Sequence, residues 1–221
     1  MTFFGKLITF FPVLVITLIV ATVIGFILDP SLFMGLCIVF AIYGFPLVCF
    51  HIHQYFCPLK EGTHDITKGY CPWYGTYMIQ NIYITFPSFE RLLRLIPGAF
   101  SAWLRLWGSN VGNNVYWTSQ LEVFDRSLVE IGENCVFGFD VMMSSHMVRP
   151  SSKYGMVVYV KRITLGKNVF IGAATRMTPG VTIEEGSMVP PRSDLYPNTK
   201  ITKKARVSNV TQSEAEKVEA V

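Results

Sequence analysis

Four histidines, five cysteines and a set of carboxylates are the side chains of this 221-residue chain that could do chemistry. A free imidazole ionises near ~6.5 and can take a proton from a hydroxyl or an amine at neutral pH. His146 is the only histidine beyond residue 64, and it opens a stretch, 147–162, in which the surrounding sequence pattern lapses. His51 and His53 lie two apart, a spacing that points them to different sides of a helix and suits residues at a membrane interface rather than a metal pair. His64 sits in Gly62-Thr63-His64-Asp65, in a link between two regions of different texture. The cysteines, Cys37, Cys49, Cys57, Cys71 and Cys135, are odd in number and contain no Cys-x-x-Cys pair, so reduced thiols in a cytoplasmic compartment are expected. No metal site is expected.

The elements that must position these groups follow from where the charges are. The chain is 51% hydrophobic and 15% charged, with mean hydropathy +0.38. Lys6 and Asp29 are the only charged residues before Lys60, so the other charges crowd into the remainder at about the density of an ordinary globular domain. Leu7–Leu28 is an uncharged run long enough to cross a ~30 Å hydrocarbon core, Asp29-Pro30-Ser31 is a turn, and Leu32 to about Phe50 is a second apolar run. Two transmembrane helices joined so tightly run antiparallel. The first run exceeds the ~7–15 residues of a signal-peptide core and no cleavage motif follows it. Lys6 before the hairpin and Lys60, Lys68 and a basic domain after it place both ends in the cytoplasm. The net charge of +4 is too small to argue for nucleic acid.

After the hairpin, Ser88 can cap a helix whose apolar residues Phe89, Leu92, Leu93 and Ile96 share a face, leaving Glu90, Arg91 and Arg94 on the other. Pro97-Gly98 ends it, and Phe100, Trp103, Leu104 and Trp107 repeat the pattern. Such helices lie in the headgroup plane of a membrane, or pack against the soluble domain or the anchor.

Beyond Gly108 the apolar residues recur every six. Leu165, Ile171, Met177, Ile183, Val189 and Leu195 form one series, Ile131, Phe137 and Met143 a second, and Val111, Trp117 and Val123 a third, with a two-residue slip between Val123 and Ile131. Neither a helix, near 3.6, nor a half-buried strand, near 2, has this period. Short strands separated by turns do, as in a parallel β-helix whose sixth residues point into a narrow core. The fifth member of each hexad is small or β-branched, as a tight corner requires.

These hexads, with Leu128-Val-Glu-Ile131-Gly-Glu-Asn-Cys135 leading through Met143-Ser-Ser145-His146, resemble the hexapeptide-repeat acyltransferases over roughly residues 108–206. Cys57-Pro58-Leu59 through Gly62-Thr63, and Leu106-Trp107-Gly108 through Val111-Gly112, are similar to a membrane-associated branch of that family. The resemblance implies a left-handed parallel β-helix, a homotrimer with its active site in the groove between neighbouring copies, a histidine general base, and an acyl donor that is acyl-CoA or an acyl carrier protein. His146 is then the expected base, drawing the proton from a hydroxyl or amine as it attacks a thioester. Asp140, Asp125 or Glu130 could orient its ring, and the amide of Gly172 could serve the oxyanion. Gly172, Ala173 and Ala174 would admit the pantetheine arm, and Lys200, Lys203 and Lys204 would meet the CoA phosphates. Lys200 onward could equally be solvated charge or face anionic lipid. His64, Asp125, Asp140, Arg149 and Lys153 are acceptor-site candidates. A carbonic anhydrase on the same coils would need three imidazoles, and one is present. The rival from another class is a non-catalytic trimeric scaffold that presents the 147–162 loop to a partner protein.

The expected organisation is a transmembrane hairpin (1–58), a linker with amphipathic interfacial helices (59–107), a β-helix acyltransferase domain (108–206) and a flexible tail (207–221). The expected location is the cytoplasmic membrane, with the catalytic domain facing the cytoplasm and a small-molecule or lipid-linked acceptor.

Overall fold

The computed structural model describes residues 3–152 and 155–203. Lys153, Lys204 and the expected tail lie outside the described residues. The chain divides into two compact units, one drawn from Met1–Leu92 with Val148–Val160 and one from Leu93–Met147 with Lys161–Val221. This division differs from the sequence boundaries: residues 93–107 fall with the coils, and most of the 147–162 stretch falls with the helices.

In the first unit, α1 (Phe3–Ile8) and α2 (Phe11–Leu28) make one apolar rod, Phe3–Leu28, of 26 residues. Asp29 and Pro30 end it, and the Ser31 hydroxyl accepts from the Met34 amide at 3.3 Å to start α3 (Leu32–Val39). One wide π-helical turn, Phe40–Gly44, leads into α4 (Phe45–Phe56). The second rod, Leu32–Phe56, therefore runs past the Phe50 expected from its apolar run. Both rods are long and apolar enough to cross a bilayer. They run antiparallel: Phe11 stacks on Phe45 with ring centroids 5.8 Å apart, while at the other end Gly25 lies against Met34.

Pro46 explains the wide turn. It has no N–H to give to the carbonyl one turn back, Ile42, and a carbonyl left bare away from water is costly. The Tyr83 hydroxyl donates to that oxygen at 2.7 Å. Tyr83 comes from α5 (Pro72–Thr85), a helix that follows strand β1 (Gly62–Asp65) and buries Trp73, Ile79, Ile82 and Tyr83. The next helix, α6 (Ser88–Arg94), corrects the expected amphipathic face: Glu90 is buried and Leu92 exposed.

In the second unit, α7 (Ala99–Leu106) buries Phe100, Trp103 and Leu104, with Trp107 just beyond it. These residues were expected either in a membrane interface or against the soluble domain, and they pack against the first coil. Arg105 donates to the carbonyls of Val111 and Gly112 at 2.8 and 2.9 Å, and Trp117 Nε1 donates to the Ser101 hydroxyl at 2.8 Å. An open end of stacked parallel strands needs such a cover.

The coils follow. The first holds β2 (Asn110–Val111), a single bridge at Tyr116, and β3 (Glu122–Val123). The second holds β4 (Val129–Ile131), β5 (Val136–Phe137) and β6 (Met142–Met143). After an excursion through β7 (His146–Ser151) and β8 (Gly155–Val160), the third coil is β9 (Ile163–Leu165), β10 (Phe170–Ile171) and β11 (Arg176–Met177). The fourth is β12 (Thr182–Ile183), β13 (Met188–Val189) and β14 (Asp194–Leu195), and β15 (Lys200–Ile201) begins a fifth. Stacking gives three parallel faces in the orders β15-β12-β9-β4-β2, β13-β10-β5 and β14-β11-β6-β3. Every residue of the six-residue series from Ile131 to Leu195 is buried.

The corners repeat as well. Asn114, Asn134 and Asn168 hold positive φ values of 54–56° in successive coils and bond side chain to side chain at 3.3 and 3.2 Å. Asparagine tolerates this left-handed geometry better than most residues. Cys135 fills the inside of the same corner, where burial pushes its thiol pKa up, and it donates to the Gly166 carbonyl at 3.2 Å.

The 147–162 stretch, expected as an extruded loop, is two strands instead. β1, β8 and β7 form a three-stranded sheet in that order, with Gly62 opposite Val160 and Asp65 opposite Val157. Replacing Tyr83→Phe should lower stability by about 1–3 kcal/mol, because it strands the Ile42 carbonyl. The thermal midpoint of the detergent-solubilised chain reads this, and Pro46→Ala, which restores an amide donor, should recover most of the loss.

Candidate active site

Two departures from the hexad step meet at one corner. From Val123 to Ile131 the step is eight residues rather than six, and from Met143 to Leu165 it is 22. Both follow strands of the third face, so they stack one above the other. In the first coil the extra residues make a tight turn in which the Leu128 amide donates to the Asp125 carbonyl at 3.0 Å. The Ser109 hydroxyl pins this turn from inside, donating to the Arg126 carbonyl at 2.6 Å and accepting from the Val129 amide at 3.2 Å. The turn leaves Asp125 2% and Arg126 1% exposed.

One coil above, the chain passes Ser144 and Ser145 and leaves as β7. The Ser145 amide donates to Asp125 Oδ2 at 2.9 Å, and its hydroxyl donates to the Leu128 carbonyl at 2.9 Å. His146 Nδ1 lies 2.7 Å from the same Oδ2. The Ser144 hydroxyl donates to the His146 carbonyl at 2.8 Å, which fixes the backbone that carries the ring. Where the excursion ends, the Lys161 amide donates to the Ser145 carbonyl at 2.9 Å and the coil resumes. The carboxylate is 3% exposed and the imidazole 16%, so the acid is inside and the ring borders solvent.

This arrangement is the inner half of a base–orienter pair. A buried carboxylate that accepts from Nδ1–H sets the tautomer in which Nε2 carries the proton-accepting lone pair. Of the three carboxylates weighed as orienters, Asp125 is the one bonded to the ring. Asp140 is elsewhere, exposed at a different corner, with φ 58° in the same left-handed column as Ala174 and Arg192.

No family model matches the chain. Over 87 residues it is 34% identical to the galactoside O-acetyltransferase of Escherichia coli (strain K12), a match covering 38% of this chain and 43% of that protein. The enzyme of the same description from Lactococcus lactis subsp. lactis (strain IL1403) is 29% identical over 86 residues, covering 37% and 42%. Over its coils the chain is similar to these acetyltransferases. The match spans less than half the length of these relatives. A solved hexapeptide-repeat acetyltransferase from Vibrio cholerae superposes with a TM-score of 0.36 at 16% identity, covering 51% of this chain and 82% of that one.

Within the hexapeptide coils, the residues expected to hold the donor are placed as follows. The Gly172 amide donates to the Val189 carbonyl at 2.9 Å, so it is committed to coil stacking; as an oxyanion donor it is corrected. A Cβ at Gly172 would overlap the backbone of Pro190 and Pro191 in the next coil, which is what keeps this position bare. Gly172, Ala173 and Ala174 turn the corner between the second and third faces, not the corner that carries His146. Lys200 is exposed on the first face, and Lys203 is exposed just beyond it. Arg149 is exposed on β7. His64, on β1, places Nε2 2.7 Å from the Lys60 carbonyl. His64 and Arg149 both belong to the first unit.

Sequence reasoning did not find Ser109 and Ser145, whose hydroxyls hold the corner. The eight-residue step was the signal that could have pointed to them. Asp125→Ala should remove the acceptor shared by Ser145 and His146, lowering stability by about 1–3 kcal/mol. It should also abolish the downfield Nδ1 proton resonance of His146 in an NMR spectrum, while Asp140→Ala leaves that resonance in place.

Proposed function

We propose that this chain is a membrane-anchored acyltransferase of the left-handed β-helix type. It moves an acetyl or other short acyl group from acyl-CoA, or from an acyl carrier protein, to a hydroxyl or amine acceptor, with His146 as general base. The 2.7 Å bond from His146 Nδ1 to the buried Asp125 carboxylate carries this reading. With Nδ1–H given to Asp125, Nε2 takes the acceptor's proton as its oxygen or nitrogen attacks the thioester carbon. The tetrahedral intermediate then collapses, the C–S bond breaks, and the thiolate leaves with the proton returned by the imidazolium. Asp125 stabilises that imidazolium without taking its proton. The two relatives are named for O-acetyl transfer to a galactoside, which favours acetyl-CoA as donor and a hydroxyl as acceptor.

The membrane assignment draws on the rods. Only 6% of the apolar window in the first and 11% in the second are buried, and helices this apolar and this bare are solvated by lipid rather than water. Lys6 and the basic region beyond Lys60 orient both ends toward the cytoplasm, where acyl-CoA is available. A homotrimer is favoured by the contrast between the coil faces. The outward residues of the second face are Tyr116, Val136, Phe170 and Met188, in register through successive coils and 36–68% exposed. Those of the first face are Asn110, Glu130, Thr164, Thr182 and Lys200, all polar. An apolar stripe on one face is what an interface between copies buries.

His146→Ala should reduce acetyl transfer from acetyl-CoA to a sugar hydroxyl by at least about 100-fold while the fold, read by circular dichroism, is retained. Wild-type turnover in that variant would overturn His146 as the base, whereas a wild-type chain that neither binds nor turns over acetyl-CoA would favour a non-catalytic scaffold. Phe170→Glu should shift the mass measured by light scattering from trimer toward monomer, and an unaltered trimer would remove the second face from the interface.

A further inference from the structure

A groove at the first coil carries two arginines that acyl transfer at His146 does not use. It has a volume of about 420 Å³ and is walled mainly by Arg94, Ile96, Phe100, Arg105, Asn113 and Tyr116. That size is within the ~300–1,000 Å³ of small-molecule sites. Residues 112–115 turn the corner between the first and second faces, whereas His146 rises where the third face passes to the first. The groove therefore belongs to a different corner.

Both guanidiniums are held in place by uncharged partners. Arg105 gives Nε and Nη2 to the carbonyls of Val111 and Gly112 at 2.8 and 2.9 Å. The Nη1 end of its fork is not spent on these carbonyls, and the residue is exposed where it lines the groove. Arg94 gives Nη1 to the Ser119 carbonyl at 2.8 Å and lies over the Phe100 ring, 4.2 Å from its centroid. None of the lining residues is Asp or Glu. Two positive charges thus share a groove whose wall supplies no carboxylate, and Asn113 adds an exposed amide to that wall.

We propose that this groove binds a phosphate monoester, with the outer edge of the Arg105 guanidinium on the phosphate oxygens and Arg94 supplying the second positive charge. A phosphate monoester carries about −1.5 to −2 charges at neutral pH and offers three oxygens to the planar fork. A carboxylate brings one charge and a neutral ligand none, so neither matches the pair. The lip of the groove is apolar: Ile96 is 62% and Leu95 76% exposed. Such a lip gives the chains of a lipid phosphate a surface beside the headgroup. A lipid headgroup and a water-soluble ester present the same phosphate, and the experiment separates them. The site stands independently of the role of His146, and its test does not read turnover.

The test uses the full chain in detergent micelles and native mass spectrometry, which identifies bound molecules by mass. Phosphatidic acid is compared with the diacylglycerol of the same chains, so that lipid adsorbed on the apolar rods cancels, and glycerol 3-phosphate is compared with glycerol. A phosphate should be retained about tenfold more than its phosphate-free counterpart, the worth of one charge-assisted pair. Retention of phosphatidic acid alone assigns a lipid headgroup, and retention of glycerol 3-phosphate as well shows that the phosphate suffices without chains. Arg105→Gln should remove the phosphate preference. Asn113→Asp, which sets a carboxylate in the wall shared with the guanidiniums and leaves their bonds to Val111, Gly112 and Ser119 in place, should reduce it too, and guards against an Arg105 variant that does not fold. Equal retention with and without phosphate in the wild-type chain, or a preference that persists undiminished in Arg105→Gln or in Asn113→Asp, overturns the proposal.

Discussion

The vertical spacing of the coils is the constraint on which the β-helix and its corner depend. Each coil hydrogen-bonds to the next through strands of two or three residues, in register from Val111 through Ile131, Leu165 and Ile183 to Ile201. Neighbouring strands sit only ~4.8 Å apart, so each residue lies directly over its counterpart one coil away. This proximity forbids a side chain at Gly112, Gly132 and Gly166, where a Cβ would meet the backbone of the coil above. It admits only small or β-branched residues inside the corners, and it buries Phe137, Ile171 and Val189 in one column.

The same constraint builds the candidate active site. A regular corner turns only a small residue inward, such as Cys135, Thr175 or Ser187. Two irregular corners stacked together turn in an ionisable pair. The longer turn after Val123 turns Asp125 inward, and the departure of the chain after Ser145 places an amide and an imidazole directly above that carboxylate. A buried carboxylate needs such donors to remain ionised at acceptable cost. Fold and chemistry therefore share an atom: Asp125 Oδ2 stabilises the coil through Ser145 and orients the ring of His146.

The helical unit follows the complementary rule that polar groups among apolar ones must be supplied from elsewhere. Pro46 frees the Ile42 carbonyl and Tyr83 takes it. His53 finds Tyr70 for one nitrogen, and Gly75 makes room for the pair. None of these partnerships joins residues close in sequence, so no local pattern announces them.

Periodicity alone determined most of the β-helix. A six-residue apolar step has one economical solution, and the residues of the Ile131–Leu195 series are the buried ones in the structure. The length of the uncharged runs likewise determined two rods and the turn at Asp29–Ser31. What the sequence left open was contact between segments: whether Trp103 and Trp107 faced lipid or protein, which of three carboxylates met His146, and whether 147–162 was a loop. The tertiary structure decided each of these. Hydrophobic spacing reports which face of a segment is apolar but not what covers it, and a hydrogen bond across a coil depends on turn lengths that shift the register of every residue after them. Asp125 and His146 are 21 positions apart in the chain. They meet because one turn is two residues too long.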